Sequence, residues 1–147
     1  MSAAHEIPVR VYYEDTDAAG IVYHSNYLKF AERGRTEYLR ARGYDHPRLA
    51  AEHGVVFAVA GCDVAFLRPA RLDDLLTVRT VVTAMGGARL EMAQEVLRDG
   101  TVCARLAVTL AVLQAGTLRP MRLPALLQHA FARALNGESD APGSTSG

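Results

Sequence analysis

YYEDTDAAGIVYHSNYLKFAERGRTEYLR, residues 12–40, is the stretch around which the rest of the chain is organised. Asp17 precedes a glycine turn, Ala18-Ala19-Gly20, and an apolar step, Ile21-Val22, leads to Tyr23-His24-Ser25-Asn26. From there Tyr27, Phe30, Ala31, Gly34, Tyr38 and Ala41 recur at i, i+3, i+4, i+7, i+11 and i+14, one stripe of an α-helix. Gly43 predicts the stop of that helix, and Ser25 or Asn26 its N-cap. Glycine inside the stripe costs ~1 kcal/mol of helix propensity, so Gly34 predicts a sheet passing close by. A carboxylate beside the unpaired N–H groups of a helix start suits the stabilisation of developing negative charge.

Upstream, Ile7, Val9, Val11 and Tyr13 alternate with Pro8, Arg10 and Tyr12, the period of a half-buried strand with Tyr13 in its core. Downstream the signals are strands: Val55 to Ala60, Cys62 to Leu67, Leu75 to Ala84, Ala88 to Arg98 and Thr101 to Leu113. Gly86-Gly87 and Asp99-Gly100 sit at hairpin turns, so the sheet is expected to be largely antiparallel. Leu123 to Leu135 reads as a C-terminal helix with Pro124 in its first turn. Long twisted strands need an apolar object against their concave face, and the helix from Tyr27 supplies it, which makes the fold α+β. The hydrophobic run Val55 to Val59 on an exposed edge predicts pairing with a second copy.

The 147 residues fit one domain over 1–135, followed by a low-complexity tail, residues 136–147, expected to be disordered. The 16 basic and 16 acidic residues cancel, so no overall field favours nucleic acid or an anionic membrane. Lys29 is the only lysine. Cys62 and Cys103 lie far apart without metal-ligand spacing and are expected to be buried free thiols, and no metal or cofactor is expected. The start MSAAHEIPVRVYY lacks the pattern of a secretory leader, and no stretch approaches a membrane span, which predicts a soluble cytoplasmic protein.

The candidate chemistry centres on Asp17. An Asp in EDTDAAG can simply cap its turn, but Tyr13 and His24 flank it on opposite sides of a Gly turn that ends in a helix. There it can serve as base or nucleophile on an acyl group while a backbone N–H holds the carbonyl oxygen. At a helix N-terminus the cationic form of His24 is disfavoured, so a neutral imidazole is the functional form. The Tyr13 hydroxyl is the third catalytic candidate. Gly20, Val22, Tyr23 and Asn26 are the substrate-binding candidates. Glu14 and Asp15 are expected on the solvated or capping side of the loop, and Arg33, Arg35 and Glu37 on a solvated helix face.

The pattern DTDxxGxVYHxNYLxFxExxRxEYL, dense from Val9 to Gly43 and joined later by LRPMRLP at Leu118 to Pro124, closely resembles the hotdog-fold acyl-CoA thioesterases of the 4-hydroxybenzoyl-CoA thioesterase family, above all their Tol-Pal-associated branch. The resemblance implies a long helix wrapped by a mostly antiparallel sheet of five or six strands, in homodimers or homotetramers with active sites at the dimer interface. It implies that Asp17 is the catalytic carboxylate, that His24 and Tyr13 assist, and that the backbone N–H at His24 polarises the thioester carbonyl. Histidine at this position points toward short or general acyl-CoA, or acyl carried by acyl carrier protein, rather than an aromatic acyl group. Arg68, Arg71 and Arg89 are candidates for the phosphates of CoA. Two other functions stand beside acyl-CoA hydrolysis: a hotdog hydratase or dehydratase acting on β-hydroxyacyl thioesters, and a non-catalytic protein that binds acyl carrier protein or an envelope complex.

Overall fold

The computed structural model describes residues 4–135, with side chains to residue 132. The tail 136–147 lies outside the described residues. The chain runs β1 (His5–Arg10), α1 (His24–Ala41), α2 (His46–His53), β2 (Val55–Phe66), β3 (Leu75–Gly86), β4 (Arg89–Arg98), β5 (Thr101–Gln114) and α3 (Ala125–Leu135). Five antiparallel strands form one sheet in the order β1-β3-β4-β5-β2, wrapped around α1, which is the α+β hotdog arrangement. No described helix is long and apolar enough to cross a membrane.

The middle of the sheet is built locally. Asp99 and Gly100 both take positive φ, 50° and 80°, so the two-residue β4–β5 turn matches the right-handed twist of its strands. The helical stripe buries as its spacing requires: Tyr27, Phe30, Ala31, Gly34 and Tyr38 are buried, although Ala41 at its end is exposed. Gly34 is the point of closest approach. A Cβ there would stand 2.7 Å from Val78 Cγ1 and 2.9 Å from both Gln94 Nε2 and Thr80 Oγ1, so only glycine lets the helix settle onto β3 and β4. Below it Gln94 donates through Nε2 to the Ala31 carbonyl at 2.8 Å and to Thr80 Oγ1 at 2.9 Å, which leaves its buried amide satisfied.

Several expectations need correction. Strand one ends at Arg10 because Asp15 accepts from the Tyr12 N–H at 2.9 Å and bends the chain into a 3-10 turn, Tyr13–Asp15. Tyr13 therefore points outward, 83% exposed, rather than into the core. The helix begins at His24 with Tyr23 as N-cap, not at Ser25 or Asn26, and no side chain caps it. The stretch before Val55 is a helix, α2, whose Asp45 caps the Arg48 N–H at 2.8 Å and whose end is set by Gly54 at φ 65°. The two segments either side of Gly61 are one strand, β2, with a register shift between Val59 and Gly61 in its pairing to β5. Cys103 is buried, but Cys62 is exposed because it lies on that edge strand.

β1 and β2 are the two edges of the sheet. β2 is long and apolar yet open to solvent along its middle and end, with Val59 at 53% and Phe66 at 52% exposure.

Candidate active site

The loop before α1 is held from both sides. Asp17 donates its N–H to the Ile21 carbonyl at 3.0 Å, and Gly20, at φ 78°, donates to the Asp17 carbonyl at 3.0 Å, closing the turn. The returning limb is tied to the segment after β2: Val22 N–H donates to the Ala70 carbonyl at 2.8 Å, and Leu72 N–H to the Gly20 carbonyl at 3.2 Å. Ala70 N–H in turn donates to the Tyr27 hydroxyl at 3.0 Å, and burial raises that hydroxyl above its ordinary pKa, with the Ala70 bond working in the other direction.

Asp15 is the buried anchor of this loop. One carboxylate oxygen accepts from the Tyr12 N–H at 2.9 Å, the other from Asn26 Nδ2 at 2.9 Å, and its backbone carbonyl accepts from the Tyr23 N–H at 2.9 Å. It lies on the capping side of the loop, not the solvated one. Two candidates thus act through this anchor: Asn26 is buried and committed to Asp15, and Tyr23 enters the helix from it.

Asp17, Val22 and His24 come together on one cleft of about 300 Å³, closed by Tyr27 and by Phe66, Leu67, Arg68 and Pro69 from the end of β2. One oxygen of Asp17 accepts from the Ala19 N–H at 2.8 Å, so the residue does cap its turn. Its second oxygen has no hydrogen bond among the described residues. His24 is exposed, with its ring 4.4 Å from that of Tyr23 and 5.9 Å, edge-on, from that of Phe66. The helix starts at His24 without a side-chain cap, and the first-turn N–H groups of a helix have no partner within it. A carboxylate and an open helix start therefore face one space, an arrangement suited to holding a carbonyl oxygen while its carbon is attacked.

Gly20 shapes the turn, and neither it nor Tyr13, Tyr23 and Asn26 lines the cleft. Among the arginine candidates Arg68 lines it, Arg71 follows the Ala70 wall, and Arg89 stands at the far end of β4 from Arg98, which binds the Pro69 carbonyl at 3.1 Å. Apart from Arg68, the wall Phe66 to Pro69 is absent from the sequence candidates; the Arg68-Pro69 break marks only its position. Arg35 is half-buried rather than solvated, donating to Gln94 Oε1 at 3.0 Å. Among the described residues no cluster of His, Cys, Asp or Glu is placed to hold a metal ion.

Comparison with known proteins identifies the family of the chain. Residues 11–131 match the profile of the thioesterase-like superfamily. The acyl-CoA thioesterase YbgC of Haemophilus influenzae is 40% identical over 124 residues, 84% of this chain and 91% of that protein. The acyl-CoA thioester hydrolase YbgC of Escherichia coli O157:H7 is 42% identical over 118 residues, 80% of this chain and 87% of that protein. The crystal structure of a probable thioesterase from Bartonella henselae superposes with a TM-score of 0.80 at 39% identity, covering 83% of this chain and 100% of that one. The matched span holds both the Asp17 loop and the sheet that wraps α1, and the chain belongs to the thioesterase-like superfamily.

Proposed function

We propose that this chain is an acyl-CoA thioesterase, hydrolysing short-chain or general acyl-CoA thioesters to a carboxylic acid and free CoA. The observation that carries the reading is the single cleft shared by Asp17, His24 and the uncapped start of α1. The thioester carbonyl oxygen accepts from the backbone N–H at His24, which stabilises the oxyanion as it forms. Asp17 either takes a proton from water that attacks the carbonyl carbon or attacks that carbon itself, with water then opening the anhydride. In the first route water forms the new C–O bond as the C–S bond breaks; in the second an Asp17 oxygen forms it as the C–S bond breaks, and water then splits the anhydride into the acid and free Asp17; in both the sulfur leaves as the CoA thiol once protonated. His24 orients the water. Val22 borders the acyl group and Gly20 shapes the turn, while Tyr23 and Asn26 hold the loop through Asp15. Tyr13 carries no step in this scheme.

Arg68, on the cleft, is assigned to the CoA phosphates. Acyl carrier protein is the alternative carrier. The exposed apolar edge of β2 supports a homodimer formed by two copies of that strand running antiparallel. The reading places the protein in the cytoplasm as a single domain over 1–135.

The test is Asp17→Asn, which keeps size and hydrogen bonding while removing the base and the nucleophile. Thiol release from a panel of acyl-CoAs should fall by roughly 100-fold or more, and His24→Ala should cost less. Wild-type turnover in the pure Asp17→Asn protein would refute the mechanism. Loss or gain of water with the thioester intact would instead favour the hydratase reading.

A further inference from the structure

A second cavity among the described residues lies away from Asp17. About 380 Å³ opens between the second half of α1, the start of α2 and strands β2, β4 and β5. One side is apolar, with Phe57, Val59, Met92 and Leu110, and the other presents Arg35, with Glu32, Thr36 and His46. Arg35 is anchored through Gln94, whose amide nitrogen is itself held by Ala31 and Thr80. No carboxylate among the described residues forms an ion pair with Arg35, and the bond to Gln94 uses one of its five donors. Burial disfavours the cation, and Glu32 only partly offsets this through space. A half-buried guanidinium with spare donors at the side of an apolar chamber lacks a planar anionic partner.

β2 relates this chamber to the cleft. Its early residues Val56, Phe57 and Val59 line the chamber, and its last, Phe66, lines the cleft. At a rise of about 3.3 Å per residue, Val59 and Phe66 of one copy are roughly 23 Å apart, beyond the reach of a short acyl chain. Antiparallel pairing of two β2 edges about a two-fold axis sets the start of one strand beside the end of the other. The chamber of one copy then adjoins the Asp17 cleft of its partner.

The geometry points to the chamber as the acyl-end subsite of the partner's active site, selective for acyl chains of a few carbons that end in a carboxylate. The apolar side takes the methylenes, and Arg35 takes the terminal carboxylate through its free donors. This rests on the thioesterase reading and names the substrate class it leaves open.

The test compares glutaryl-CoA with pentanoyl-CoA, which have equal chain length and differ in the terminal carboxylate, and free glutarate with free pentanoate by calorimetry on the full-length protein. Wild-type protein should hydrolyse glutaryl-CoA with the higher kcat/KM and bind glutarate the more tightly. Arg35→Met should lower the glutaryl-to-pentanoyl ratio of kcat/KM about tenfold or more, the scale of one charge-assisted pair. Arg35→Lys, which keeps the cation without the planar fork, should fall between them and serves if Arg35→Met does not fold. An unchanged ratio in both variants overturns the proposal. So does glutarate binding that Arg35→Met weakens while the hydrolysis ratio stays fixed, since the chamber would then serve a free carboxylate. If no acyl-CoA releases thiol, the thioesterase reading fails by that result alone. The calorimetry still decides the chamber: glutarate preference lost in Arg35→Met supports an Arg35 carboxylate site, and no preference sinks it.

Discussion

Replacing Gly34 with alanine adds one methyl where α1 meets the sheet, and the cost follows from three distances. The new carbon would lie 2.7 Å from Val78 Cγ1 and 2.9 Å from Gln94 Nε2 and Thr80 Oγ1, against a comfortable separation of about 3.5–4.0 Å. None of the three yields easily. Val78 is β-branched and fully buried, and Gln94 and Thr80 are bonded to each other and, through Gln94, to the Ala31 carbonyl. The helix must therefore lift, and with three neighbours that cannot yield the overpacking cost falls in the upper part of the usual range, about 2–3 kcal/mol. Alanine returns about 1 kcal/mol of helix propensity. The expected net is a loss of about 1–2 kcal/mol, or roughly 3–8 °C in Tm, read by urea and thermal unfolding at fixed protein concentration. Val78→Ala in the same chain should recover part of the loss, a coupling visible in a double-mutant cycle. A Gly34→Ala protein as stable as wild type, or more stable, would refute the close-approach argument, because that is how alanine behaves in an ordinary helix interior.

Asp15→Asn turns one acceptor at the loop anchor into a donor facing a donor, either the Tyr12 N–H or Asn26 Nδ2. It should cost about 1.5–3 kcal/mol in urea unfolding and reduce thioester turnover as the Asp17 loop loosens; full stability would show that the anchor is idle. Tyr27→Phe leaves the buried Ala70 N–H without its acceptor and should cost about 1–3 kcal/mol, with faster exchange of the Ala70 amide as its specific mark. His5, edge-on to Tyr38, is held below its ordinary pKa by burial and then by Arg42, with Glu37 opposing. As pH falls through about 6.5 the unfolded chain takes up this proton before the folded one, so the stabilisation is present above that pH and lost below it. His5→Gln should flatten that part of the stability curve, and superimposable curves between about pH 5 and 8 would count against it.

What the chain discloses about itself follows the range of the interactions involved. The stripe from Tyr27 to Tyr38, the reason for Gly34 and the Asp99-Gly100 turn are local and legible. Gly61 looks like a break, yet the pairing of β2 with β5 runs through it as a bulge, because a partner strand decides where pairing ends. Helix α2 carried its signals in Asp45, Pro47 and Gly54, but eight residues are too few for periodicity to speak. Tyr13 fits the alternation of a strand until the Asp15 side chain, two residues later, bends the chain away. Asp17 and His24 share a cleft as their spacing suggests, but its far wall comes from Phe66 to Pro69, more than forty residues on, and no local pattern announces such a neighbour.

The order of the elements also has a bearing on how the chain is made. Synthesis delivers α1 before the strands that cover it, and its contacts at Gly34 wait for Val78, Thr80 and Gln94. About seventy residues separate Ala41 from the end of β5, which at about 5–20 residues per second leaves the apolar stripe uncovered for roughly 4–15 s on the ribosome. During that time Tyr27, Phe30 and Tyr38 offer a target for a holding chaperone or for a neighbouring nascent chain. The β3–β4–β5 meander closes quickly through its short turns once it emerges, and the distant pairings of β1 and β2 follow. The segment that carries Asp17 and His24 leaves the ribosome before the strands and the Phe66 to Pro69 wall that complete its surroundings.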